Sequence, residues 1–284
     1  MRLLLALAAA LSLTACGEPA HVWPPASPPL WEVTGRNGEQ AWLLGTIHAL
    51  PDGVEWHTDA IDRAFASSDM LMVEIGNLGD TEEARQDFTK LSVSTPQPPL
   101  TLRVSKDDRP ALEALMKRAS LTNEDFWNVE TWAAALMLSN AARATEPANG
   151  VDRALLKLGK PVRALESYTA QFARFDSLPE SDQRALLAGV VREAGTDRDR
   201  DNVTAWLTGD LDALERQMNR EFLGTPGLSG PLLIDRNHYF AGAINVALVQ
   251  RHKPFVAVGA GHMLGPDGLP ALLAARGYTV RRLP

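Results

Sequence analysis

Two short stretches far apart in the 284-residue chain carry the same spacing of glycine and histidine. Residues 43–48 read LLGTIH and residues 256–262 read VAVGAGH, so Gly45 stands three residues before His48 and Gly259 three before His262. A third apolar run, MLMV, is followed by Glu74. Two imidazoles and one carboxylate are a recurrent ligand set for a catalytic metal, because they leave coordination positions open to water and substrate. A glycine ahead of each histidine lets the backbone turn tightly or approach a ligand. Singly, each residue has a plain structural use: a histidine at a strand end is commonly a hydrogen-bonded structural group, and a glutamate after an apolar run can cap a neighbouring helix. Their parallel placement is what makes them a candidate set.

Arg236 lies in LLIDRNHYFAGAI, at the start of an apolar helix. A guanidinium there could grip a substrate carboxylate or stabilise an oxyanion, or it could pair with Asp235 or another carboxylate. Glu166 follows PVRAL and could reach the same place, as a secondary candidate behind Glu74. His57, His238 and His252 lack a strand-end position and read as non-catalytic. Familiar templates are missing: no His-Glu-x-x-His helix, no Gly-x-Ser-x-Gly elbow and no phosphate-binding Walker loop. GAGHMLG places its third glycine one residue late for a dinucleotide turn.

The elements that must position these residues follow from periodicity. LWEVTG and QAWLLGTIH flank Arg36-Asn37-Gly38-Glu39, and Asn-Gly between strand-like runs predicts a hairpin. TDAIDRAFASSD has helical spacing, and MLMVEIG is a short apolar run of the kind found in buried strands. From about residue 80 to 235 the pattern is mostly helical, interrupted by a strand in KPVRALES (160–167). NVTAWLTGDLDALERQMNREFL (202–223) reads as one helix. KPFVAVGAGH then predicts a strand, GPDGLPALLAARG a helix stopped by Gly277, and YTVRRL a last strand. The fold class expected is mixed α/β, with a central sheet built from N- and C-terminal strands and a large helical insertion between them. In such sheets ligands gather beyond the carboxyl ends of the strands. Neighbouring strands ending in His48, His262 and Glu74 would therefore bring all three to one rim.

The N-terminal stretch is read separately. Arg2 and the apolar run Leu3 to Leu13 have the form of a secretory signal, too short to span a bilayer. Leu13-Thr14-Ala15-Cys16 resembles a bacterial lipobox, with Cys16 as the lipidation site. It is the chain's sole cysteine, so neither a disulfide within the chain nor a cysteine-based zinc site is available. Residues 1–15 are then a lipoprotein signal peptide, 16–29 a Pro-rich tether and 30–284 the folded domain. Gly17, rather than Asp, points to the outer membrane of a bacterial envelope, facing the periplasm. The net charge of −7 and the lack of a basic run argue against nucleic acid as a partner.

Several longer stretches resemble the TraB/GumN family, which includes the Wnt-inactivating Tiki metalloproteases. They are WLLGTIHALP, MLMVEIG, GVDRALLKLGKPVRALESYTAQF, AWLTGDLDALE, LLIDRNHYFAGAI and FVAVGAGHMLGPDGLPALLAARGYTVRRL. Together they cover nearly all of residues 30 to 284. The resemblance implies a fold shared with erythromycin-esterase-like and haem-binding ChaN-like proteins. It also implies a metal-dependent peptidase activity supported by manganese or cobalt, with His48, His262, Glu74 and Arg236 as the functional set.

The expectation is a metal-dependent peptidase or related hydrolase, tethered to the envelope by a lipid anchor and acting on a peptide or protein. His48, His262 and Glu74 would hold a divalent metal (Mn, Co or Zn), with Glu74 and Arg236 serving catalysis. One alternative is a metal-free hydrolase with a histidine general base oriented by a carboxylate. Another is a non-catalytic lipoprotein that binds haem or a peptide. A shared fold does not choose among them.

Overall fold

A computed structural model describes residues 21–142, 147–194, 199–220 and 224–284. The expected signal peptide, the proposed lipidation site Cys16 and the first part of the expected tether lie outside the described residues. Residues 21–29 form no regular structure. Trp23 and Ala26 nevertheless pack against the core, and the Ser27 N–H donates to the Leu207 carbonyl. Among the described residues no helix is long and apolar enough to cross a membrane.

Six strands among these residues form one mixed sheet: β1 (Leu30–Thr34), β2 (Gln40–Thr46), β3 (Met70–Val73), β4 (Val162–Ala164), β5 (Pro254–Gly259) and β6 (Thr279–Arg282). Their order across the sheet is β4-β3-β5-β2-β1-β6. The predicted hairpin joins β1 to β2, with Gly38 at a positive φ of 84° in the turn. β2 pairs with β5 in parallel, Gly45 opposite Val258 and Thr46 opposite Gly259. β3 lies parallel to both β5 and β4. The four parallel strands therefore end at the same edge. The chain's first and last thirds meet at its centre, as the paired Gly-x-x-His stretches require.

Strand alternation sorts side chains to two cores. Leu44, Phe255 and Ala257 point to one face, under α1 (Asp59–Ser67), α5 (Val151–Leu156) and α8 (Asp199–Thr208). Leu43, Val256 and Val258 point to the other, under α11 (Asp235–Val249) and α12 (Leu269–Ala275). Strands covered on both faces are continuously apolar, and β2 from Ala41 to Thr46 is buried throughout.

The segment between β3 and β5 supplies the remaining helices: α2 (Thr81–Ser92), α3 (Arg109–Arg118), α4 (Thr131–Ala142), α6 (Tyr168–Asp176), α7 (Glu180–Glu193), α9 (Leu211–Met218) and α10 (Pro226–Ser229). Several build a third core around Phe126, Trp132 and Leu187. Leu228 and Leu232 belong to it as well, which ties this layer to the start of α11.

Two expectations are corrected. The single helix expected over 202–223 is broken at Gly209 and Asp210. Gly209 has φ +65°, the Asp210 N–H returns to the Ala205 carbonyl, and the Asp210 carboxylate caps the Ala213 N–H of α9. A glycine stop followed at once by an Asp N-cap outweighs the helical periodicity on either side. The helix α6 has no counterpart in the sequence reading. Its signals are Ser167, whose side chain caps the Ala170 N–H, and the helical spacing of Tyr168, Phe172 and Phe175.

Candidate active site

Each of the four parallel strands is followed at its carboxyl end by one of the predicted residues. His48 comes two residues after β2, Glu74 one after β3, Glu166 two after β4 and His262 three after β5. His262 sits in a 3-10 turn, Ala260–Met263, that folds back against the sheet.

The two Gly-x-x-His stretches interlock. A Cβ on Gly45 would stand 3.1 Å from the Ala260 Cα and 3.2 Å from the Met263 side chain, so the first glycine makes room for the second histidine's turn. A Cβ on Gly259 would stand 3.3 Å from His48 Nε2 and 3.3 Å from Glu74 Oε1. The second glycine thus makes room for the first histidine. Those two atoms are at most twice that distance apart. The Gly45 carbonyl accepts a bond from the indole of Trp206 on α8 at 2.7 Å, which fixes the end of β2.

Both imidazoles have a fixed tautomer. The Asn237 amide donates to the Asp267 carbonyl at 2.8 Å, which orients its oxygen toward His262 Nδ1 at 2.5 Å. That oxygen only accepts, so Nδ1 carries the proton and Nε2 carries the lone pair. His262 Nε2 lies 3.6 Å from Glu74 Oε1. His48 Nδ1 donates to Asp152 Oδ2 at 2.9 Å, and the Thr46 hydroxyl donates to the other oxygen of Asp152 at 2.7 Å. Asp152 is buried in the first turn of α5, where the helix dipole favours a carboxylate. The His48 side chain is 60% exposed against 5% for His262.

Glu74 is held by two hydrogen bonds. Its Oε1 accepts the Gly259 N–H at 2.8 Å, and its Oε2 accepts from Arg236 Nη2. Burial would raise its pKa, but the electrostatic influence of His262, Arg236 and His48, with the Gly259 N–H, outweighs burial and brings it down to about 2. Arg236 also donates to both oxygens of Glu166 and, through Nη1, to the Leu232 carbonyl at 3.1 Å. Burial opposes its charge, yet the two carboxylates raise its pKa overall. Glu166 moves up, chiefly through burial, with Glu74 adding to the effect against Arg236. Burial is also the main influence on His262. Opposed by Glu74, it lowers His262 to about 4, so the ring is neutral at neutral pH.

All five predicted residues thus gather at one rim, where Arg236 takes the carboxylate-pairing role with Glu74 and Glu166. Asp152, Asn237 and Thr46 were not picked out from sequence. Asp152 and Asn237 do lie inside the motifs GVDRALL and DRNHYF, which contained the only signal for them. His57 and His252 stand apart, pairing at the surface with Asp62 and Asp69. The rim opens into a cavity of about 300 Å³, with His48, Glu74, Arg236 and His262 on its floor and apolar walls that include Phe175, Trp206 and Leu232.

The donor types suit a divalent cation. His262, neutral at neutral pH, and His48 each have Nδ1 tied to an oxygen, beside an ionised carboxylate. This outer-shell pattern accompanies metal-binding histidines. Among the described residues no three His, Cys, Asp or Glu side chains are already grouped at ligating distances. The fit is therefore one of donor chemistry and tautomer, not of a closed ligand sphere.

A mixed sheet whose parallel strands deliver two histidines and two carboxylates around one arginine, at the mouth of an apolar cavity, defines an α/β protein with a charged rim site. A family model described as the TraB/PrgY/gumN family matches residues 29–282, nearly the whole chain, and the chain belongs to that family. Comparison with curated proteins and with solved structures gave no match.

Proposed function

We propose that the protein is a metal-dependent hydrolase acting on amide bonds, a peptidase, with its reacting carbonyl bound where His48, Glu74 and His262 converge. The observation that carries this reading is the pair of tautomer-fixed imidazoles on adjacent parallel strands, with ionised Glu74 beside them at a cavity floor. His48, His262 and Glu74 would hold manganese, cobalt or zinc. Such an ion polarises a carbonyl and lowers the pKa of water at neutral pH.

The chain's own residues supply the rest. Asp152 holds the His48 ring with Nε2 toward the cavity. Asn237 does the same for His262. Arg236 keeps Glu74 ionised and aimed, and Glu166 balances the arginine's second face. The apolar walls exclude bulk water and strengthen these interactions. In the overall reaction water adds its hydroxyl to the acyl carbon, the C–N bond breaks, and the amine leaves with the remaining proton.

A second reading is favoured by one observation, the His48–Asp152 pair. A histidine with Nδ1–H on a buried carboxylate is also the arrangement of a general base, and it needs no metal to take a proton from water. The test is peptide hydrolysis by a purified form lacking residues 1–16, before and after chelation. Metal-dependent turnover lost in His48→Ala is the expected result. Turnover that survives exhaustive chelation selects the general-base reading. Stoichiometric binding of haem or peptide without turnover would sink both. Attachment through Cys16 to the outer membrane is proposed on the lipobox alone. Labelled fatty acid that fails to enter the chain, or enters equally in Cys16→Ser, removes it.

A further inference from the structure

Two cavities meet at a shared wall of His48, Glu74 and Gln171. The larger, about 300 Å³, is walled by Phe175, Trp206, Leu214, Met218, Leu232 and Leu264. The smaller, about 140 Å³, is walled by Val73, Ile75, Leu78 and Tyr168. His48, Glu74 and Gln171 line both. A molecule reaching into both cavities would place its middle beside these three residues.

The charges of the two linings decide what that molecule can carry. Among the described residues neither lining contains a lysine, and the one arginine, Arg236, is bound to Glu74 and Glu166. The carboxylate of Asp152 is taken by Thr46 and His48. A buried charge without a partner is costly, so a terminal carboxylate or a charged side chain is disfavoured on either side. Size separates the two parts further. The larger cavity sits at the lower end of the range for small-molecule sites, and its aromatic and aliphatic walls favour a bulky apolar group. The smaller one has under half that volume.

Building on the hydrolase reading above, we propose that the substrate is an uncharged internal stretch of peptide straddling this wall. A large apolar side chain occupies the larger cavity, a small residue occupies the smaller, and the scissile carbonyl lies at His48 and Glu74. Met218 sets the first preference and Leu78 the second. Both are half-buried on the cavity walls rather than in the deep core, so both tolerate enlargement.

The test uses the purified chain with a series of acetylated, amidated peptides varied at one position on each side of the cleaved bond. Phe or Leu at the large side should exceed Asp or Lys by about a hundredfold in kcat/KM, and Met218→Trp should cut cleavage of the Phe peptide about tenfold while sparing Ala. Leu78→Trp should sharpen the preference for a small residue at the other position only. Cleavage of charged and apolar peptides at equal rates, or both variants acting on the same position, overturns the assignment while leaving the hydrolase reading intact. Calorimetry with a non-cleavable analogue separates the converse case. Apolar-selective binding, weakened by Met218→Trp, supports the two cavities even if no peptide in the series is cut, and in that event the hydrolase reading is the one that falls.

Discussion

Among the described residues, Arg103 is buried and Arg236 nearly so, with its side chain 12% exposed, and they are held in opposite ways. Arg103 lies in the helical layer, 1% exposed, and its guanidinium donates to the backbone carbonyls of Pro98, Val129 and Phe126 at 2.7–2.9 Å. Arg236 lies at the sheet rim and is bound by the carboxylates of Glu74 and Glu166. Burial works against the charge of both. For Arg103 it prevails and lowers the pKa, whereas for Arg236 the two anions reverse it. The first guanidinium stitches loop carbonyls that would otherwise be orphaned. The second sits in a charge cluster facing a cavity, where removing one member changes the protonation of the others. A buried charge satisfied by neutral dipoles marks architecture here, and one satisfied by titratable partners marks the candidate site.

The largest effect that would sharpen this contrast is on turnover. His48→Ala should lower kcat/KM on a cleaved peptide about a thousandfold or more, with a modest drop in melting temperature, because the ring is mostly exposed but buried Asp152 loses it as a partner and keeps Thr46. Arg236→Met should destabilise the fold by about 4 kcal/mol, since it strands two buried carboxylates. That cost should shrink as pH falls, starting above the ordinary carboxylate range, because stranded buried carboxylates protonate early. Adding Glu166→Gln should recover part of it. Arg103→Met should cost about 3 kcal/mol by leaving carbonyls unpaired, and urea titrations should find that cost less dependent on pH, because Glu130 and Glu180 act on Arg103 only at a distance. If the two arginine variants share one pH profile, the contrast is broken.

The native pH dependence comes next. His262 is lowered from 6.5 to about 4, so the unfolded chain binds more protons between those values. Chelator-treated protein should therefore lose up to about 3 kcal/mol of stability as pH falls from 6.5 to 4. Glu74, lowered from 4.5 to about 2, extends the loss to more acid pH in the same direction. Denaturant midpoints that stay flat from pH 7 to 4.5 would contradict the neutral buried His262. The smallest effect is expected at Asp152. Asp152→Asn keeps the shape but removes the charge that orients His48, and should lower kcat/KM about tenfold and shift its pH profile. An unchanged profile would leave Asp152 with a purely structural part.

Much of this arrangement was legible in the sequence, for physical reasons. Short apolar runs ending in Gly-x-x-His or Glu give both the strand and the residue at its end. The rule that parallel strands present their carboxyl ends together then predicts the rim. The adjacency of β2 and β5 was likewise readable from the matching motifs. Asp152 was not, because an Asp in the first turn of a helix has an ordinary use as a dipole partner. Only the fold brings it from residue 152 to His48. Arg236 was placed correctly on its helix, but its two partners come from different strands 162 and 70 residues away, a pairing that no local pattern encodes. The break at Gly209 was local and readable, and it matters because α8 and α9 each supply a wall of the larger cavity.

Strands from the two ends of the chain bring His48, His262 and Glu74 to one rim, which we propose binds a metal. Calorimetric titration of manganese or cobalt into chelator-stripped protein tests it most directly. One ion should bind per chain, with affinity reduced about a hundredfold or more in both His48→Ala and Glu74→Gln. No binding in the parent protein, or equal binding in parent and variants, would contradict the claim.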